Sequence, residues 1–87
     1  MVKCEEIKPG VSIYEKFVYI QTTDEDLAEV LVSERSLEDG YLHAMLVIEA
    51  DDQVLVELPR ETTRGFWTIW VYRRNVKFLG KNPGTCT

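Results

Sequence analysis

Few side chains in this sequence are suited to bond-making chemistry, and they are scattered. His43 is the one histidine, and Cys4 and Cys86 sit near opposite ends. Covalent catalysis needs a nucleophile beside a base that a third group orients. One histidine in an apolar stretch and two cysteines in terminal segments supply no such set. No C-x-x-C pair or Cys/His cluster occurs, so no zinc site is implied. There is no phosphate-cradling glycine loop. The adjacent acids Asp51 and Asp52 read as turn residues. The expectation is a chain that is not an enzyme and carries no cofactor or metal. Binding chemistry remains. Arg73 and Arg74, with Lys77, make a basic turn that offers charge to phosphate, keeps the turn soluble, or pairs with a neighbouring subunit's acids. Tyr41 and Tyr72 read, by composition alone, as strand aromatics.

The elements that position these residues centre on Gly65 to Leu79. Phe66 to Tyr72 is β-branched or aromatic at nearly every position, which predicts a strand. Phe66, Thr68, Trp70 and Tyr72 point one way, and Trp67, Ile69 and Val71 the other. Neither face is a water face, so both must be covered. Either this is the central strand of a small barrel or a second copy supplies the cover. Trp67 and Trp70 lie on opposite faces and so form no single stacking platform; they read as core and interface anchors.

Upstream, Met1 to Lys8 is charged and reads as frayed, and Lys8-Pro9-Gly10 as a turn. Ser12-Ile13-Tyr14-Glu15 fits a capping box, so residues 11–16 start either one helical turn or a strand. Lys16 to Thr22 is the first strand, Thr23 to Asp26 a polar hairpin connection and Leu27 to Ser33 the second strand. A helix over Asp24 to Val32 competes, but Val30-Leu31-Val32 is weak helix material. Glu34 to Gly40 is a loop ending in the turn dipeptide Asp39-Gly40. Tyr41 to Ala50 is the third strand. It resumes at Gln53 to Leu58 as one long strand kinked at Asp51-Asp52. Pro59 to Arg64 is a turn, and the fourth and fifth strands flank Arg73-Arg74. Five strands with turns about every ten residues indicate a small all-β barrel or sandwich.

The 87 residues allow one domain, 1–87, with a core of about 16–80 and short tails. The hydrophobic fraction of 45% and nine aromatics require a folded chain. Leu42–Ile48 and Phe66–Tyr72 are the longest apolar runs, too short to span a bilayer. The first twenty residues hold Glu5, Glu6 and Glu15 and no secretory core, so a cytoplasmic location and free thiols are expected. Net charge is −5, unevenly spread. Residues 1–52 carry four Lys/Arg against thirteen Asp/Glu, and residues 53–87 six against two. The whole is a poor polyanion binder, although a local basic face still suits phosphate.

Two stretches together resemble the Sm-like (Sm/LSm) family of ring-forming RNA-binding proteins. Asp39-Gly40-Tyr41-Leu42-His43-Ala44-Met45-Leu46 has the spacing of the first family motif, with Leu42 at its Met position and His43 at its Asn position. Val71-Tyr72-Arg73-Arg74-Asn75-Val76-Lys77-Phe78-Leu79 keeps the spacing and the closing Asn-Val of the second. The chain is similar to divergent, phage-borne members of the cyanophage type. It departs from the family in having Glu29 where a bend-permitting Gly is usual, a longer loop at Glu34–Glu38, and Tyr72-Arg73 in place of Arg-Gly. The N-terminal helix is short or missing.

The resemblance implies a five-stranded Sm-like (SH3-like) barrel assembled as a homo-oligomeric ring of five to seven copies. It implies binding of single-stranded, uridine- or adenine-rich RNA at the rim, in RNA processing or stability. It places Tyr41 where a side chain stacks on a base, His43 where a base edge is read and Tyr72 on the base's other side. Arg73 and Arg74 then meet phosphate, Asn75 braces the turn or touches the base, and Asp39 and Gly40 shape the loop. Pairing of the fourth strand with the fifth strand of the next copy would bury Phe66, Trp67, Ile69, Trp70, Val71, Val76 and Phe78 at the interface. The competing expectation is a protein-interaction scaffold on the same barrel without RNA binding, which the acidic first half favours.

Overall fold

A computed structural model describes residues 1–78. Within them the chain is mostly β, with no α-helix. The strands are β1 Val2–Lys3, β2 Glu6–Pro9, β3 Glu15–Gln21, β4 Leu27–Ser33, β5 Leu37–Glu38, β6 Tyr41–Leu42, β7 Met45–Glu49, β8 Gln53–Glu57 and β9 Thr68–Tyr72. They form three antiparallel sheets, ordered β1-β6-β5, β2-β3-β4 and β7-β8-β9. One core joins all three. Val2 and Leu42 come from the first sheet, Val18, Ile20, Val30 and Val32 from the second, and Val54, Val56, Ile69 and Val71 from the third. These positions alternate along their strands, as the two-residue period of a strand requires.

The β3–β4 hairpin forms where the alternation placed it. Val18 opposes Val30 and Ile20 opposes Ala28, which excludes the competing helix over Asp24–Val32. The connection contains no glycine; Glu25 takes the left-handed conformation (φ 65°) and Thr22 N–H donates to Asp26 O at 2.9 Å.

Several expected elements differ. The N-terminal segment is not frayed, because β1 and β2 both pair, Val2 is buried, and Glu6–Pro9 runs along β3. Residues 11–14 form neither a helix nor a strand. Ser12 Oγ accepts from Tyr14 N–H at 3.3 Å, and Ser12 O from Glu15 N–H at 3.2 Å, a local turn that competes with a helix start. Residues 41–58 are not one bent strand. Met45 opposes Glu57 and Glu49 opposes Val54, so Ala50–Asp52 is a hairpin turn and the chain reverses there. Glu34–Ser36 is a 3₁₀ turn inside the expected loop. After β9, Arg73–Asn75 is a second 3₁₀ turn, and of the expected fifth strand there is one bridge, Val76 to Val2. Leu79, Gly80 and Cys86 lie outside the described residues.

Candidate functional site

Asp39 (φ 53°) and Gly40 (φ 83°) are both left-handed, which makes a tight two-residue turn between β5 and β6. That turn fixes the register in which Tyr41 opposes both Glu38 and Lys3. The next residue pair, Val2 and Leu42, is buried, so Lys3, Tyr41 and Glu38 share the outer face. The Lys77 ammonium stands 5.8 Å above the Tyr41 ring. Its backbone is tied down, since Lys77 N–H donates to Met1 O at 2.7 Å. Tyr72 carries a second cation, with the Arg74 guanidinium 4.3 Å from its ring centre. Tyr72, Arg74 and Asn75 line a groove of about 430 Å³ with Lys3, Glu5, Gln21 and Glu25. Lys3 belongs both to this groove and to the Tyr41 row. Tyr41, Tyr72, Arg74 and Asn75 therefore lie around one surface.

Two other residues of the expected RNA pocket have side-chain partners of their own. His43 Nε2 lies 3.1 Å from Glu38 Oε1, and the His43 backbone N–H donates to Ser36 O. Arg73 is a structural clamp. Its Nε donates to Asp51 O (3.0 Å), its Nη2 to Ala50 O (2.7 Å) and its Nη1 to Glu49 Oε2 (2.9 Å). Its guanidinium is engaged by the β7–β8 turn. The expected interface also divides. Ile69 and Val71 are buried in the chain's own core, and Val76 packs against it. Trp70 is half-buried, while Phe66, Trp67 and Phe78 are exposed.

No family model, curated protein or solved structure matches this chain.

The surface that sequence reasoning missed is β7. It is an edge strand, paired only to β8, and every residue in it is exposed. Met45 is 68% exposed, and Leu46, Val47 and Ile48 are each close to half exposed. Leu46 opposes the core residue Val56, so it lies on the core side of the sheet, and Ile48 opposes Leu55 on the other side. β7 thus overhangs the core with apolar groups on both faces. The signal was present as the apolar run Leu42–Ile48, but the demand for a second cover was placed on 66–72.

Cys4 is half-buried, and burial pushes its thiol up to about 11. Such a group is a packing residue at neutral pH rather than a nucleophile. Among the described residues no three His, Cys, Asp or Glu side chains are grouped to hold a metal, and no helix is long and apolar enough to cross a membrane.

Proposed function

We propose that this chain is a non-catalytic binding module, a small barrel of the SH3-like class, whose first partner is a second copy of itself joined through β7. The observation that carries the reading is the uncovered apolar edge from Met45 to Ile48. An edge strand offers unpaired backbone donors and acceptors, and proteins normally blunt such edges with charge or proline. The opposite edge, β2, is blunted in this way by Glu6, Lys8 and Pro9. β7 has no charge before Glu49, and Arg73 neutralises Glu49. Two β7 strands running antiparallel about a two-fold axis near Val47 bring the Met45–Ile48 segments of both copies together, with no like charges opposed. Ile48→Lys should turn a concentration-dependent dimer into a monomer with an unchanged far-ultraviolet circular dichroism spectrum. Sedimentation equilibrium makes the measurement, and a wild-type chain that stays monomeric at high concentration would overturn the reading.

A second reading, binding of single-stranded RNA, rests on the two ring–cation pairs around Lys3. Stacking on an aromatic face contributes about 1–3 kcal/mol per base and tolerates any base. Lys3, Arg74 and Lys77 supply the charge that Arg73 does not. This is the surface that the Sm-like resemblance points to, and a ring is its assembled form. Fluorescence anisotropy with oligo-U and oligo-A tests it, expecting that Tyr41→Ala with Tyr72→Ala abolishes binding while the oligomeric state persists. Equal affinity in that double variant rules out the stacking role.

A further inference from the structure

β4 and β9 are each the last strand of their sheet. Alternation of ladder bonds in antiparallel pairs tells which backbone groups each strand leaves outward. On β4, Thr22 N–H bonds Asp26 O just beyond the Gln21–Leu27 pair. Ala28 and Val30 therefore bond β3, and Leu27, Glu29 and Leu31 face away. On β9, Leu58 N–H bonds Trp67 O and Arg73 N–H bonds Asp52 O. Ile69 and Val71 therefore bond β8, and Thr68 and Trp70 face away. Three contacts agree with this phase. Thr63 N–H reaches Glu29 O at 2.9 Å, Thr23 N–H reaches Trp70 O at 3.0 Å, and Arg60 Nη1 reaches Leu31 O at 3.3 Å.

The two open edges line one groove of about 460 Å³, within the size range of ligand-binding clefts. The hairpin tip around Asp24 and the loop around Arg64 also line it. Among the described residues, the N–H groups of Leu27, Glu29, Thr68 and Trp70 have no partner, nor do the carbonyls of Leu27 and Thr68. The loop wall is prebuilt. Thr62 is buried, and its Oγ1 accepts from Arg64 N–H at 3.3 Å and Phe66 N–H at 3.0 Å. Leu27 and Phe66 are each more than half exposed at the groove, and Trp70 is half-buried there. The groove is acidic. Arg64 pairs with Asp26 at 3.6 Å, which leaves the carboxylates of Asp24 and Glu29 in excess.

We propose that this groove takes a short extended peptide, added as a strand between β4 and β9. An apolar side chain of the peptide packs beside Leu27, Phe66 and Trp70, and a Lys or Arg faces Asp24 and Glu29. Paired backbone donors and acceptors on two edges match an extended main chain, and strand addition is a recurring mode of peptide capture. The carboxylates select a basic sequence and repel nucleic acid. This site is separate from β7 and does not depend on self-association.

The test uses the full chain carrying Ile48→Lys, which removes β7 pairing from the readout. The probe is a fluorescein-labelled eight-residue peptide alternating Val and Lys. Its controls are a Val/Glu counterpart and a version N-methylated at alternate residues. Anisotropy should show binding of the basic peptide, at least tenfold weaker binding of the acidic one and loss of binding on N-methylation. Asp24→Asn with Glu29→Gln should weaken the basic peptide about tenfold. Amide hydrogen exchange should show new protection at Leu27, Glu29, Thr68 and Trp70. No binding, equal affinity for both peptides, or protection at Leu46 and Val47 instead would each overturn the proposal.

Discussion

Arg73 shows how one side chain can look like a ligand-binding group and act as a brace. Planar guanidinium forks suit carbonyl and carboxylate acceptors, and here the acceptors are two backbone oxygens and Glu49. Hydrogen bonds from a charged donor are each worth about 1.5–3 kcal/mol before solvent screening lowers them. Arg73→Ala should therefore cost about 1–3 kcal/mol in urea unfolding. A loss of RNA affinity with no change of stability would return Arg73 to the phosphate-binding role. Tyr19 makes a different local bond, its hydroxyl donating to Glu29 Oε2 at 2.5 Å. That bond, with lesser help from desolvation and nearby carboxylates, raises the phenol above its ordinary value. A raised acid pKa means the folded state holds the proton more tightly. The stabilisation is fully present below the ordinary tyrosine value of about 10 and is lost as pH rises through the folded value. Wild type should be more stable than Tyr19→Phe at pH 7, and the gap should narrow as pH rises past the ordinary tyrosine value. A gap that does not change with pH would contradict this account of the bond.

At the scale of elements, the β2–β3 connection is closed by a backbone approach that admits no side chain. Gly10 N–H donates to Glu15 O at 3.1 Å, and a Cβ on Gly10 would lie 2.6 Å from that oxygen and 2.9 Å from Leu31 Cδ1. Gly10→Ala should destabilise by about 1–3 kcal/mol, read from the thermal midpoint, because backbone must move to admit the methyl group. An unchanged midpoint would show that the connection is loose. The elements best read from sequence were those whose pattern carries the core. Leu27–Ser33 was placed to the residue because Ala28, Val30 and Val32 alternate inward. β2 was missed because Glu6 and Lys8 look like a solvated tail, yet an edge strand needs only its backbone to pair. The β7–β8 turn was missed because Asp51-Asp52 lacks the glycine that marks a tight hairpin, and two collinear apolar runs then read as one strand. Arg73's role was hidden because its partners are mainly carbonyls, which carry no sequence signal. Of the expected RNA pocket, Tyr72, Arg74 and Asn75 line one groove with Lys3, whose strand partner is Tyr41. His43 pairs with Glu38, the strand partner of Tyr41, while Arg73 is held by acceptors of the β7–β8 turn that only the fold brings near.

For the whole molecule, folding brings the acidic first half and the basic second half into contact at three ion pairs. Arg60, Arg64 and Arg73 from the second half pair with Glu15, Asp26 and Glu49 from the first. Exposed pairs of this kind add little stability, and they offset only three of the thirteen acids in the first half. The proposed self-association rests on a local feature, the apolar edge of β7. A two-fold contact uses the same edge on both copies and is then complete, whereas a head-to-tail contact leaves one edge open and grows into a ring or fibre. A single β7–β7 pair should stop at two copies. Four side chains per partner also fall well short of the roughly 800 Å² per partner of a standard interface, so the dimer should dissociate on dilution. Sedimentation velocity across a hundredfold range of concentration separates the outcomes. One reversible monomer–dimer boundary that Leu46→Lys and Ile48→Lys both abolish supports the two-fold edge. A closed species of five to seven copies that survives both substitutions would mean that assembly runs through other strands. It would then favour the ring and its RNA-facing surface.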